Sequence, residues 1–393
     1  MIRHYLKMVW NRKRVNGLIL IEIFISFIVL FTVLAVATLF TINFSRPLGY
    51  SIDRVWAVNP NSNLPFQSHM KEKMEGMKQI IMALRTLPEI ESIGGIELTP
   101  YNTSTSINSF GYNGRQMDAY TNMATDGLKD VLGVQLTAGR WFSPEDDALP
   151  SKPAIINEQL ARALYGSDNP VGKELPINKY RVVGVVKDFR KAGEFSQLVN
   201  YFFTRISIND TAVRALPYSI LIKLRPDVTA AFEERLVKTL QGVEKTWTFD
   251  VRILKHEREE YMKVNLVPLI AGGVIAAFLL FMVALGLIGV LWQNVTQRTK
   301  EMGLRRALGR SAKSVAGQIH GEQFIISSIG MAAASILILQ VPLLGLISFM
   351  EPEVYVIALV CSIALMYGIT HLCSLIPGWL VMDIEPAEAL HYD

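Results

Sequence analysis

The stretch TQRTKEMGLRRALGRS, residues 296–311, separates two long apolar runs, and its reading decides the fold. It carries five cations, Arg298, Lys300, Arg305, Arg306 and Arg310, against one acid, Glu301. Lys and Arg collect in the cytoplasmic loops of membrane proteins. A basic segment with an apolar run on each side therefore reads as an inner loop between two spans. The runs that flank it cover residues 266–292 and 324–350, and two more cover 17–44 and 354–382. Each exceeds the roughly 20 residues that cross a bilayer as a helix. Composition agrees: half of the 393 residues are hydrophobic, and the mean hydropathy is +0.28.

Flanking charge orients the chain. Arg3, Lys7, Arg12, Lys13 and Arg14 precede the first run without an acid, whereas only Glu351 and Glu353 lie between the third and fourth. The expected order is a cytoplasmic N-terminal segment 1–16, a first span 17–44 and an extracytoplasmic region 45–265. A second span 266–292, a cytoplasmic basic amphipathic helix 293–323 and a third span 324–350 follow. A short outer loop 351–353, a fourth span 354–382 and a cytoplasmic tail 383–393 complete it. The first run is longer than a signal-peptide core and lacks a small-residue cleavage site, so it is expected to be retained. The expected fold is an α-helical membrane protein with four transmembrane helices and a large extracytoplasmic α+β domain inserted between helices 1 and 2.

The outer region has 28 Lys and Arg against 26 Asp and Glu. That balance suits an ordinary soluble surface and excludes a nucleic-acid partner. Cys361 and Cys373 both lie in the fourth run, about 18 Å apart along a helix, so no disulfide is expected. VWAVNP after Arg54 reads as a strand. The helical spacing of Met74, Met77, Ile80, Ile81 and Leu84 predicts a helix ending before Pro88, and SIGGIELTPY returns as a strand. The order repeats in YSILIKLRP, VTAAFEERLVKTLQGVEK and TFDVRILK. Two such units around a middle insertion predict two lobes, with a stalk helix at the end over 255–265. INEQLARALYG reads as a helix in the middle lobe, and YRVVGVVKDF as a strand with a bulge at Gly184.

Three site patterns each have a plainer reading. GSDNPVGKE has five residues between Gly166 and Gly172 where a phosphate loop has four, and Glu174 where Ser or Thr would hold magnesium. A turn with Gly at positive φ explains it better. His256, Glu257 and Glu260 belong to a solvated stalk helix rather than a metal site. Glu22 and His371 are the only ionisable residues deep in the runs. They read as an interfacial carboxylate and as an imidazole bonded to a neighbouring helix. Pro342 predicts a kink, and the small residues Gly272, Gly273, Ala276, Ala277 and Gly286 of the second span, with Gly330 and Ala332 to Ala334 of the third, suit close helix contact at a dimer seam.

On a helical wheel, Leu304, Leu308, Ala312, Val315 and Ile319 share one face, and Arg298, Arg305, Arg306, Arg310 and Lys313 gather opposite. Charge alone serves two readings equally: a helix lying in the inner interface, or one whose cationic side also receives a cytoplasmic protein.

RTKEMGLRRALGRS resembles the signature of the MacB/FtsX-like, or type VII, ABC permease family. The matching positions are Arg298, Thr299, Glu301, Gly303, Arg305, Arg306, Ala307, Leu308 and Gly309, with Lys300 and Leu304 between them. The ending EPAEALHYD is similar to the family's C-terminal motif at Pro386, Glu388, Ala389 and Leu390. AGRWFSPED, NEQLARALYG, NPVGKEL and YRVVGVVKDF resemble the MacB-type periplasmic core in that order. The tail departs from the family pattern: after Pro377 it lacks basic residues and carries Asp383, Glu385, Glu388 and Asp393.

The resemblance implies a bacterial inner-membrane permease subunit without catalytic residues or metal, whose partner is a separate cytoplasmic ABC ATPase that binds ATP and magnesium. It further implies a second permease copy, as homodimer or related heterodimer, and spans that relay motion instead of enclosing a substrate path. The basic helix would dock on the ATPase. The outer domain would serve export with a periplasmic adaptor, or signalling to a partner such as a cell-wall hydrolase.

Overall fold

The computed structural model describes residues 13–62, 69–207, 216–229, 231–297, 304, 308–345 and 350–383. By contacts the chain divides into two units, Asn43–Asn265 and the pair Met1–Ile42 with Leu266–Asp393.

In the first unit, β1 (Val55–Ser62), α2 (Met70–Arg85) and β2 (Ile90–Ile96) follow helix α1 (Lys13–Ser45). The late repeat is β9 (Ser219–Leu224), α5 (Ala231–Val243) and β10 (Trp247–Ile253). These two strand–helix–strand units interlock. β9 lies between β1 and β2, and β1 lies between β9 and β10, all antiparallel neighbours. Alternation along each strand divides its side chains between two cores. Trp56 and Val58 of β1, with Ile220 and Ile222 of β9, meet Met77, Ile80 and Leu84 of α2 and Leu236 and Leu240 of α5. Val55, Ala57 and Leu221 point to the opposite face. Fully burying each such aliphatic side chain contributes roughly 1.5–3 kcal/mol.

The middle segment holds β3 (Ser106–Tyr112), β4 (Arg115–Ala124), α3 (Leu128–Leu132), β5 (Leu136–Gly139), β6 (Pro153–Asn157), α4 (Glu158–Tyr165), β7 (Arg181–Val186) and β8 (Tyr201–Arg205). It was expected as a second lobe. Instead the ten strands among the described residues form one sheet in the order β10-β1-β9-β2-β4-β8-β6-β7-β5, with β3 paired to β4. The halves meet at β2 and β4 through Ile96 opposite Ala124. A shared core covers one face of both halves: Ala57 and Leu221 come from one, Ile155, Phe203 and Trp141 from the other, with α3 packed over them. This common core makes the region one body with two helical flanks.

The expected bulge is present. Val182 pairs with Ala154, but Gly184 pairs with Ile155, which leaves Val183 as an extra residue. One added residue reverses which side chains face which core. Val182 and Val185 both enter the α4 core, and Val186 the shared one. A Cβ on Gly184 would stand 2.2 Å from Arg140 O, so glycine is required where these backbones cross.

The second unit contains α1 as far as Ile42 and, from Leu266 onward, α6 (Leu254–Gln297), with α7 (Ala312–Leu343) and α8 (Pro352–Asp383). All four are long and apolar enough to cross a membrane. Ile19, Ile23, Phe27, Phe31 and Ala35 of α1 form a ridge at four-residue spacing, buried with Val283, Leu287, Met331, Ala334, Ala358 and Met366. Val274, Phe278 and Phe281 of α6 remain exposed, an apolar face that suits lipid.

Three boundaries differ from expectation. The stalk and the second span are one continuous helix, Leu254–Gln297, with Pro268 inside it. Pro342 does not kink a continuing span, because α7 ends one residue later, with Leu344 N–H donating to Gln340 O. The basic helix expected over 293–323 is not one element. Leu308 N–H donates to Leu304 O in a turn, Gly309 takes φ +91°, and Ser311 caps α7 by accepting from Ser314 N–H. A left-handed glycine stops a helix and a serine cap starts one. The apolar face drawn through Leu304, Leu308, Ala312, Val315 and Ile319 is therefore divided between two elements.

Candidate functional site

The basic segment is where the sequence places the chemistry. Leu304 and Leu308 lie within the described residues and are 50 % and 78 % exposed, with Gly309 and Arg310 exposed after them. Arg298, Thr299, Lys300, Glu301, Gly303, Arg305, Arg306 and Ala307 lie outside the described residues, as do Pro386, Glu388, Ala389 and Leu390.

Within the membrane unit the small residues face the chain's own first helix. A Cβ on Gly286 would stand 2.6 Å from Glu22 Oε2, one on Gly330 2.9 Å from Ile23 Cγ2, and one on Gly272 3.3 Å from Val33 Cγ2. They seat α1 against α6 and α7, where a dimer seam was expected; Gly273 alone of the glycines in that set has open space around it. Glu22 thus rests on Gly286. A polar seam joins α7 to α8: Ser327 Oγ and Thr370 Oγ1 are 3.1 Å apart, Ser328 Oγ and Tyr367 Oη 2.8 Å, and Phe324 stacks on Tyr367 at 4.4 Å. The imidazole that bonds across helices is His320, whose Nδ1 lies 2.5 Å from Ser374 Oγ. His371, singled out for that role in the sequence, lies 5.9 Å from it ring to ring.

In the outer unit the sequence motifs have structural duties. Asn157, buried, accepts from Leu160 N–H as the cap of α4 and from Tyr201 N–H, both at 3.0 Å. It donates to Asp188 Oδ1 at 3.1 Å, and Asp188 also accepts from Gln159 N–H and pairs with Arg162. NEQLARALYG and VVKDF therefore converge on one helix start, where a carboxylate is favoured. In GSDNPVGKE, Gly166 and Gly172 take φ +62° and +89°, and Lys173 pairs with Asp168 at 2.9 Å. The expected turn is what forms. In the stalk, Glu257 pairs with Arg252 and Glu260 with Lys263.

Two features escaped the sequence. One is a polar cavity of about 460 Å³ lined by Glu97, Tyr101, Tyr218, Asp250, Arg252 and Glu257 among others. The other is Arg190, a fully buried guanidinium. Neither has a spacing signature, because their residues come from distant parts of the chain.

Residues 17–239 match the MacB-like periplasmic core domain, and residues 273–386 match the FtsX-like permease C-terminal region. Among curated relatives, the macrolide export ATP-binding/permease protein MacB of Aggregatibacter actinomycetemcomitans is 26 % identical over 53 % of this chain and 33 % of its own length. The uncharacterized ABC transporter permease YknZ of Bacillus subtilis is 24 % identical over 61 % of each. MacB of Chlorobium luteolum is 23 % identical over 77 % of this chain and 45 % of its own. The chain thus spans between a third and three fifths of the length of these relatives. Among solved structures, the periplasmic region of MacB from Actinobacillus actinomycetemcomitans aligns with a TM-score of 0.37 and 16 % identity, covering 54 % of this chain and 94 % of that one. The extracellular domain of YknZ aligns at 0.34 and 13 %, covering 49 % and 99 %. With one domain matched through the interlocked sheet and the other through the last three long helices, the chain belongs to the MacB/FtsX-like permease family.

Proposed function

We propose that this chain is the membrane subunit of an ABC system in the bacterial inner membrane. A cytoplasmic ATPase docks on the basic segment, and its ATP cycle moves the outer domain to drive export. The observation that carries the reading is the pairing of a MacB-like core with an FtsX-like permease region in one polypeptide. MacB relatives are named for macrolide export, and YknZ as an ABC transporter permease. The continuous helix Leu254–Gln297 adds support, since it carries the stalk and the second span in one element that leads toward the basic segment. ATP and magnesium are held by the ATPase. In this scheme the N-terminus, basic segment and tail are cytoplasmic, a second permease copy completes the assembly, and a periplasmic adaptor receives the cargo.

Arg305 and Arg306 carry the polar contact with the ATPase, with Arg298, Lys300 and Glu301 beside them in the sequence, while Leu304 and Leu308 hold the segment to the membrane. Gly309, at φ +91°, allows the backbone to turn at the contact. The test is affinity purification of the full chain in mild detergent, with bound proteins identified and their ATP hydrolysis measured. The double reversal Arg305→Glu, Arg306→Glu should release the ATPase or separate its turnover from export. A double mutant that assembles and exports normally overturns the docking. Recovery of a cell-wall hydrolase in place of an adaptor replaces export by signalling.

A further inference from the structure

The loop KDFRKAGEFS, residues 187–196, follows β7 and so issues from the middle half of the sheet. Arg190 lies at its centre and is 1 % exposed. Among the described residues its guanidinium donates to carbonyls rather than to a carboxylate: Nη1 to Asn43 O at 2.6 Å and Arg46 O at 3.2 Å, Nη2 to Glu194 O at 2.8 Å, Nε to Ser196 O at 3.1 Å. Asn43–Ser45 close α1 and belong to the outer unit. A helix end leaves carbonyls without internal partners and carries partial negative charge, so a cation fixed there is held by direction and by charge. The backbone of the loop adds to this grip. Arg190 N–H donates to Leu48 O at 3.0 Å, Tyr50 Oη donates to Arg190 O at 3.1 Å, and Phe44 and Phe195 lie 6.3 Å apart.

Four residues on, the loop holds the outgoing chain. Glu194 Oε1 accepts from Arg258 Nε, in the second turn of α6, at 2.5 Å. The glutamate side chain is 8 % exposed, so the pair is shielded from solvent and removing one partner strands a buried charge. Tyr101 packs beside it. Its N–H donates to Lys191 O at 2.9 Å, its ring lies 6.0 Å from that of Tyr261, and it presses on Gly193 so closely that a Cβ there would stand 2.4 Å away.

We infer that Arg190 and Glu194 make this loop a clasp that ties the incoming segment 43–50 and the first two turns of α6 to the middle half of the sheet, so that the three move as one. Arg190 and Glu194 are positioning residues. Arg190 grips the helix end, Glu194 grips α6 through Arg258, and only three residues of chain separate them. Their place in coupling rests on the reading above, in which the outer domain is driven from the membrane side; the clasp itself does not.

The experiment uses spin labels on the full chain in lipid nanodiscs, with Cys361 and Cys373 replaced by Ser. One pair, Lys187→Cys with Glu259→Cys, reports loop to α6; the other, Lys187→Cys with Ser45→Cys, reports loop to helix end. Both distance distributions should be narrow in this background. Arg258→Met should at least double the width of the first and leave the second unchanged, and Arg258→Lys should restore most of the sharpness. Arg190→Met should broaden the second. Since truncating Arg190 can unfold the domain, Arg258→Met, at a partly exposed residue, decides the matter: an unchanged first distribution overturns the clasp. If the distribution broadens while ATP-driven export persists, the clasp stands and the coupling reading fails.

Discussion

At the residue scale, Lys191 is the group whose titration should be visible. Its ammonium is buried and donates to Asn102 O at 3.0 Å and to Ser104 O. Burial, only partly offset by Glu97, lowers its pKa to about 8 from the ordinary 10.5. Between those values the unfolded chain binds the proton that the folded chain has released, so stability contributed by this group rises with pH. Below about 8 both states are protonated and the contribution is flat. Tyr101 opposes it higher up: burial raises its phenol to about 12, so the unfolded chain ionises first above pH 10 and stability falls there. The denaturation midpoint of the outer domain, followed by near-ultraviolet circular dichroism, should climb from about pH 8 to 10 and then decline. Lys191→Met should lose the climb and keep the decline; parallel profiles would refute the assignment. None of this was legible in sequence. YRVVGVVKDF reads as a strand, and only the fold shows that Arg190 and Lys191 just beyond it are buried against carbonyls. Asn157 was readable as a helix start from NEQL, but its second duty toward Tyr201 was not, because β8 lies 44 residues away.

At the element scale, periodicity found α2, α4, α5 and the strands around them, since one buried face imposes its spacing on the residues. It erred where two elements share one pattern. The apolar positions from Leu304 to Ile319 continue in phase through Gly309, so a wheel cannot see the break that φ +91° makes. It also could not say which neighbour a glycine serves. Gly330 seats Ile23 and lies near Leu20 O, whereas Gly273 has open space around it. Gly330→Leu should therefore force α1 away from α7 at a cost of about 1–3 kcal/mol, as overpacking does. Gly273→Leu should leave the protomer within about 0.5 kcal/mol of the parent. Thermal unfolding in detergent checks the contrast, and equal losses would overturn the packing account. If Gly273→Leu splits an assembly without lowering protomer stability, the second copy packs at that glycine.

At the scale of the whole molecule, the four spans were legible because length and apolarity suffice to mark a helix that can cross a bilayer. The single sheet was not. Its halves meet at one pair, Ile96 and Ala124, and its shared core is assembled from segments with no common periodicity. Orientation follows from charge instead of contact, because Lys and Arg are retained on the cytoplasmic side during insertion. In the proposed orientation Met82, exposed on α2, lies outside the cell membrane and Leu308 inside. Single cysteines at these positions, in a chain whose native Cys361 and Cys373 are Ser, separate the two faces. A membrane-impermeant maleimide applied to spheroplasts should label Met82→Cys within minutes and spare Leu308→Cys until the membrane is permeabilised. The reverse pattern would invert the chain. It would put the basic segment out of reach of any cytoplasmic ATPase, and the interlocked sheet would lie inside the cell, away from any periplasmic partner.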